Sequence, residues 1–341
     1  MEKTLIRAFL EALAVGDAYG KATEYCSRET VRQTYRRIDE LLPPERAIAH
    51  EDLFWGQVTD DTEQNVYLIR EYARAGRVTA DDTARCLLRW VQETDAADKY
   101  IGPNSLKALR AIEQGADVAT AGKGGTTCGG MMRAPAAFLF SSEDTLENNV
   151  VQCLMPTHFT SVAMEAAMCY AFALQEASRG GSVAEILEAA CRGAKRGRGY
   201  GSTRRVAGVA PSCAARIRLL AQVIPTMTED EVKEFLYDVL GATMASCDVC
   251  SCVFGLFLHA GGDTAKAIRL ATEMGGDADT IACLAAGLCT LYAGGHNLPA
   301  DMVALVAQAN GLDFDALAQL AAGADELVKG EEPCGCQPQR I

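Results

Sequence analysis

The chain has 341 residues, 49% of them hydrophobic and 23% charged, with a formal net charge of −13 and a sequence pI of about 4.9. Such a composition can bury a large core and excludes a chain that is disordered over most of its length. The acidity argues against a nucleic-acid binder, which needs cationic surface to displace counterions from phosphates.

Taken in order, the expected elements are helical nearly throughout, with apolar residues three and four apart and almost no strict alternation. The first helix is expected over 5–15. It runs into Gly16-Asp17-Ala18-Tyr19-Gly20-Lys21-Ala22-Thr23-Glu24, where the glycines predict a break in the rhythm. Thr59-Asp60-Asp61-Thr62 then precedes a helix over 62–75. A Thr or Asp there can cap free amides, and acids suit the positive end of the helix dipole. Capping accounts for one or two acids, but less well for adjacent carboxylates that repel each other.

The second break is Gly122-Lys123-Gly124-Gly125-Thr126-Thr127-Cys128-Gly129-Gly130. Helices are expected over 161–177 and 183–194. The latter enters a basic cluster of Arg192, Lys195, Arg196, Arg198, Arg204 and Arg205, which reads as solvated surface. Further helices are expected over 229–240 and 249–259. The third break, Gly275-Gly276-Asp277-Ala278-Asp279-Thr280, opens a helix over 279–292 in which Ile281, Leu284, Leu288 and Leu291 form one stripe. A last helix covers 301–309. These elements predict one compact all-α domain over 1–329, with 330–341 as a flexible tail.

Fourteen cysteines in such a chain read as reduced thiols packed as small hydrophobes. A zinc site built from Cys247, Cys250 and Cys252 with Cys334 and Cys336 is the alternative. Met1-Glu2-Lys3-Thr4 has neither a basic n-region nor an apolar h-region, and apolar stretches such as 249–260 fall short of a membrane span. The expected location is therefore the cytoplasm, with no membrane and no nucleic-acid partner.

The two Thr- and Asp-bearing helix entries carry the chemistry. The helix behind Asp277 and Asp279 is almost wholly apolar, which places its entry deep in the core. Buried carboxylates are costly unless paired or bound to a cation. Two such clusters can share a pair of divalent ions, and oxygen donors favour Mg²⁺ or Mn²⁺ over Zn²⁺.

This combination resembles the ADP-ribosylglycohydrolases, or ADP-ribosyl-acceptor hydrolases. Four blocks carry the resemblance in the family's order: Gly16-Asp17-Ala18-Tyr19-Gly20 with Glu24, Thr59-Asp60-Asp61-Thr62, Cys128-Gly129-Gly130-Met131-Met132-Arg133-Ala134-Pro135, and Gly275-Gly276-Asp277-Ala278-Asp279-Thr280. Thr157-His158 matches a further family pair. The resemblance implies an all-α fold with a dinuclear Mg²⁺ or Mn²⁺ cleft. Thr59, Asp60 and Asp61 would be ligands from one loop, and Asp277, Asp279 and Thr280 from the other, with Asp279 the candidate bridge. Glu24 would sit beside the metals as ligand, gate or proton carrier.

The resemblance also implies a diphosphate cradle over Gly124, Gly125, Thr126, Cys128, Gly129, Gly130 and Met131, with Lys123 adding charge and His158 a ligand contact. The chain departs from the family here, because Thr126-Thr127 intervenes before the Cys-Gly-Gly-Met-Met-Arg run. In many members an Asp followed by Ile-Gly meets the leaving group. Here Asp98-Lys99-Tyr100-Ile101-Gly102 has extra residues between, so Asp98 and Asp95 are both candidates. Met131 and Met132 suit either an adenine pocket or core packing, and His50, His259 and His296 have no supporting context.

The implied function is hydrolysis of the bond at C1′ of ADP-ribose attached to a protein or small acceptor. Catalytic roles would fall to Glu24, Asp60, Asp98 and Asp279. Two alternatives stand beside it: an N-glycosidase of a small riboside or nucleotide at the same site, and a catalytically silent binding or structural member. Neither the acceptor group nor the oligomeric state follows from the sequence.

Overall fold

A computed structural model describes residues 1–50, 52–94, 99–204 and 208–323, the side chains of 201–204 excepted. In chain order the longer helices are α1 (Lys3–Gly20), α2 (Asp60–Ala75), α3 (Ala80–Glu93), α4 (Pro103–Glu113), α5 (Leu146–His158), α6 (Ser161–Ser178) and α7 (Val183–Arg204). They continue as α8 (Cys213–Val223), α9 (Ser246–Ala260), α10 (Thr264–Met274), α11 (Ala278–Ala293), α12 (Ala300–Asn310) and α13 (Phe314–Ala322). Among the described residues there is no strand, only an isolated bridge between Thr127 and Ala245. The all-α expectation holds. No helix among the described residues is long and apolar enough to cross a membrane.

α1 does not stop at Val15 but continues through Gly20, so the expected break at Gly16 is corrected. Its glycines serve contact rather than interruption. A Cβ on Gly16 would lie 2.6 Å from the Ala282 carbonyl oxygen, and one on Gly20 would lie 2.3 Å from that of Ala278. Backbones at that separation admit no side chain, and α1 and α11 are thereby locked together through the centre of the molecule. Every residue from Phe9 to Gly20 is buried, as is every residue of α11 from Ala278 to Leu291. Helices apolar on all sides belong in a core.

The same device explains why α7 outruns its expected end at Ala194. A Cβ on Gly193 or Gly197 would sit 2.2 Å from the carbonyl oxygens of Met168 and Met164 on α6. Other expected helices differ from the observed ones by a few residues. The 229–240 segment changes character midway, from an α-helix over Glu229–Glu234 to a π turn over Phe235–Leu240.

Cys250 and Cys252 on α9 are fully buried, as packed thiols would be, while Cys334 and Cys336 lie outside the described residues. In the basic cluster Arg192, Arg196 and Arg198 pair with Glu188, Glu147 and Glu165. The side chains of Arg204 and Arg205 fall outside the described set.

Candidate metal centre

Three chain segments converge at one end of the α1–α11 pair: the C-terminus of α1, the entry to α2 and the entry to α11. The α2 entry is not capped by its own Thr59, whose side chain makes no cap bond. The cap comes from α1. Asp17, fully buried, accepts from Thr59 N at 3.1 Å, Thr62 N at 3.0 Å and Thr59 Oγ1 at 2.8 Å. A carboxylate at a helix N-terminus satisfies orphan amides and meets the positive end of the dipole. Asp17 thus fixes Thr59-Asp60-Asp61 relative to α1, and through Gly16 and Gly20 relative to α11. Sequence reasoning gave Asp17 no role of its own. Its signal was an acid flanked by closely spaced glycines, Gly16-Asp17-Ala18-Tyr19-Gly20.

The α11 entry is held from the other side. Gly275 and Gly276 both have φ of +74°, in the region that favours glycine. A Cβ on either would also strike backbone, the Cys26 carbonyl oxygen at 2.5 Å or that of Ala242 at 2.1 Å. Tyr25 N donates to Gly276 O at 2.8 Å, and Gly276 N to Cys26 O at 2.9 Å. This paired contact carries Glu24 to the acids of α11. Carboxylate oxygens of Glu24, Asp277 and Asp279 all lie within 4.8 Å of one another. Asp61 joins them directly, because Thr280 Oγ1 donates to Asp61 Oδ2 at 3.1 Å.

Glu24, Asp60, Asp61, Asp277, Asp279 and Thr280 line one narrow pocket with Tyr25, Tyr100, Ser105, Thr127, Cys128, Gly129, Met132 and Met244. Thr59 is buried behind this lining with its hydroxyl on Asp17. Glu24 accepts from His50 Nε2, so His50 has the context that sequence reasoning missed. Both Tyr25 and His50 adopt positive φ, of 60° and 53°, which is uncommon for side chains of this size. His296, by contrast, bonds Glu11 at 2.9 Å away from the pocket.

The pocket crowds carboxyls together. Burial pushes the carboxyls of Asp60, Asp61 and Asp279 well above the usual range, and neighbouring carboxylates, Glu24 among them for Asp60 and Asp279, push further. Burial, then Glu24, raises Asp277 to about 7. Asp17 reaches about 6, its burial outweighing the three donors that favour the anion. Asp61 Oδ1 and Asp277 Oδ2 are buried and accept no hydrogen bond among the described residues. Unpartnered carboxylate oxygens turned inward fit hard divalent cations, for which oxygen is the preferred donor. Cys128 completes the wall as a neutral thiol, since burial and then Asp277 drive its ionisation upward.

The Gly-rich loop divides. Thr127, Cys128 and Gly129 line the pocket, whereas Gly124, Gly125 and Thr126 do not. Gly125, Gly129 and Gly130 wrap His158, with hypothetical Cβ atoms 2.7, 2.9 and 2.9 Å from its side-chain atoms. Met131 is fully buried in the core, and Met132 is buried at the pocket wall. Lys123 is exposed. Asp95 and Asp98, the leaving-group candidates, lie outside the described residues.

Residues 2–334 match the family model described as ADP-ribosylglycohydrolase. The Escherichia coli (strain K12) protein YegU, described as uncharacterized, is 29% identical over 322 residues, spanning 92% of this chain and 95% of its own. An uncharacterized protein of Archaeoglobus fulgidus is 31% identical over 274 residues, 80% of this chain and 82% of its own. A solved structure described as an ADP-ribosylglycohydrolase-related protein complex shares the fold, with a TM-score of 0.67 at 21% identity over 95% of this chain and 98% of that one.

Proposed function

Because the chain belongs to the ADP-ribosylglycohydrolase family, we propose that it hydrolyses the glycosidic bond at C1′ of ADP-ribose attached to a protein side chain or a small acceptor, in a metal-dependent reaction. The observation that carries this reading is the meeting of Asp61 with Thr280 and of Glu24 with Asp277 and Asp279 in one buried pocket.

Asp60, Asp61, Asp277, Asp279 and Thr280 would hold two Mg²⁺ or Mn²⁺ ions, with Thr59 a further donor once its hydroxyl turns from Asp17. Such ions would supply Lewis acidity and neutralise the crowded carboxylates. Cleavage at C1′ builds positive charge on the ribose ring, and the carboxylates around the pocket suit that charge. Glu24, which accepts a hydrogen bond from His50, would accept or return a proton at its carboxylate. Cys128 and Gly129 would meet the substrate beside the acids, and His158 would support the loop from behind. Asp98 is the proposed contact to the leaving group.

A second reading keeps the chemistry and shrinks the substrate to a riboside or nucleotide. Its support is that Gly124, Gly125 and Thr126 do not line the pocket, as a cradle for a whole diphosphate would.

The test is release of ADP-ribose from an ADP-ribosylated protein and from ADP-ribosyl-arginine, each before and after EDTA treatment and Mn²⁺ restoration. Activity lost with EDTA and regained with Mn²⁺ supports the reading, and unchanged turnover in the metal-free protein refutes it. Simple ribosides cleaved in preference to both would favour the smaller substrate.

A further inference from the structure

Among the described residues only two besides glycine adopt positive φ, Tyr25 at 60° and His50 at 53°, and both adjoin Glu24. Tyr25 follows it in the chain, and His50 Nε2 is hydrogen-bonded to its Oε2. The two rings lie beside each other, with centroids 6.2 Å apart. Such a conformation strains a large side chain. It persists where the surroundings enforce it, and it gathers at functional sites.

The enforcement comes from two flanks. Ala22 O accepts from Ile48 N at 3.1 Å and from Ala49 N at 3.2 Å, and His50 O accepts from Leu53 N at 3.1 Å. The backbone around His50 is thereby pinned to the segment that carries Glu24. On the opposite flank Tyr25 N donates to Gly276 O at 2.8 Å, which pins that same segment to the entry of α11. Glu24 is buried between these two attachments.

The side chain of Glu24 needs a tie of its own. One of its oxygens lies within 4.8 Å of an oxygen from each of Asp277 and Asp279. Like charges repel, so the ionised acids of the pocket would turn Glu24 away. An ionised carboxylate only accepts hydrogen bonds, and His50 Nε2–H supplies the donor that counters this repulsion. His50 is not among the described residues that line the pocket, so it grips Glu24 from behind rather than meeting substrate.

We propose that His50 is a positioning residue for the reaction: it fixes Glu24 Oε2 from outside the pocket, so that the other oxygen, Oε1, is presented to the reacting sugar. The inference rests on the reading of the pocket as a glycosidic hydrolase site and goes beyond it by naming the residue that makes Glu24 competent.

The experiment is steady-state release of ADP-ribose from an ADP-ribosylated protein by the Mn²⁺-loaded full-length protein, with Mn²⁺ affinity measured separately by electron paramagnetic resonance. Wild type, His50→Ala, His50→Gly and His50→Gln are compared. His50→Ala and His50→Gly are expected to lower kcat about ten- to a hundred-fold, the scale on which a misplaced catalytic group loses rate. KM and Mn²⁺ affinity should stay close to wild type. His50→Gln retains an N–H donor on a side chain of similar reach and should recover most of kcat. Glycine suits the positive φ at this position, so His50→Gly keeps the test decisive if His50→Ala does not fold. Wild-type kcat in both donor-less variants overturns the proposal and leaves the metal-centre reading intact. A raised KM with unchanged kcat overturns it by making His50 a substrate contact. Mn²⁺ affinity that falls alongside kcat in all three variants overturns it by making His50 part of the scaffold of the centre. Failure of wild type to release ADP-ribose overturns the functional reading and this proposal with it.

Discussion

Thr280 Oγ1 lies 3.1 Å from Asp61 Oδ2, although the two residues are 219 positions apart in the chain. That bond closes the centre: it joins the entry of α2 to the entry of α11 at the point where burial and like charge make ionised carboxylates most costly. A site of this kind is expected to trade stability for function. Asp279 is nearly fully buried, and that burial, followed by the charges of Glu24, Asp61 and Asp277, pushes its carboxyl well above the usual range. Asp279→Asn removes one acid from the group. In metal-free protein the substitution is expected to raise the thermal midpoint, while abolishing both ADP-ribose release and the stabilisation by Mn²⁺. Wild type should gain about 4 kcal/mol when Mn²⁺ stands at a thousand times its Kd. Melting curves with EDTA and with Mn²⁺ check this, and a lowered midpoint in the metal-free variant contradicts it.

Asp17 acts at a distance from the pocket by capping α2 from α1. Asp17→Ala leaves Thr59 N and Thr62 N without their acceptor and is expected to cost about 1–3 kcal/mol. Asp17→Asn retains one acceptor oxygen but turns an amide hydrogen toward the same donors, so it should recover only part of the loss. Because the cap sets the position of Asp60 and Asp61, both variants should also bind Mn²⁺ more weakly. Denaturant unfolding and Mn²⁺ titration followed by electron paramagnetic resonance report the two effects separately. A destabilised variant with wild-type Mn²⁺ affinity would limit Asp17 to stability alone.

The pH dependence of metal-free protein follows from the same acids. Asp277, held near 7 in the folded state, ionises near 4 once unfolded, so through neutral pH the folded chain holds a proton that the unfolded chain has released. His50, raised by its bond to Glu24, acts in the same direction. His158 and His259 are lowered mainly by burial, and their contribution is lost as pH falls below the unfolded value of about 6.5. Above that value the raised groups dominate. Stability is expected to fall from pH 6.5 to 8, by up to about 1.4 kcal/mol per pH unit for each proton retained. With Mn²⁺ saturating, the acids are held ionised and the fall should shrink to the part due to His50. Urea unfolding at pH 6.5, 7.2 and 8.0, with EDTA and with Mn²⁺, measures the difference.

What the sequence revealed and what it hid have the same cause. Acids beside threonines at the start of an apolar helix signal a buried charge cluster, so Asp60, Asp61, Asp277, Asp279 and Thr280 were legible. The partners that orient them were not, because a cap given by another helix leaves no spacing to read. Asp17 reaches α2 across 42 positions, and His50 reaches Glu24 across 26. The resemblance offers His158 as a ligand contact, whereas it is fully buried. Its ring nitrogens lie 2.8 Å from Thr157 Oγ1 and 3.0 Å from Thr127 Oγ1, and this meeting of the α5 end with the Gly-rich loop is one that no periodicity records. Glycine misled most directly, since low helix propensity argues for a break while close helix packing demands the same residue.

That ambiguity gives a sharp prediction at Gly20. If the glycines of α1 only ended a helix, alanine there would be neutral or mildly stabilising. A Cβ at Gly20 instead falls 2.3 Å from the Ala278 carbonyl oxygen and 2.6 Å from Asp279 Cα, both backbone atoms at the entry of α11 beside the acidic pocket. Neither can yield as a flexible side chain would, so α1 must move away from α11 or the α11 entry must shift. Gly20→Ala is expected to destabilise the fold by about 1–3 kcal/mol, the range for overpacking a tight core. Because the displaced atoms carry Asp279, Mn²⁺ affinity should fall with stability. Gly76→Ala is a fitting comparison. Gly76 has φ of +66° at the end of α2 and no neighbour within 4 Å of a hypothetical Cβ, so alanine there meets backbone strain but no clash and lies far along α2 from the acids. It should lower the melting midpoint and leave Mn²⁺ affinity unchanged. Equal Mn²⁺ affinity in the two variants would mean that the α1–α11 contact does not position the carboxylates of the pocket.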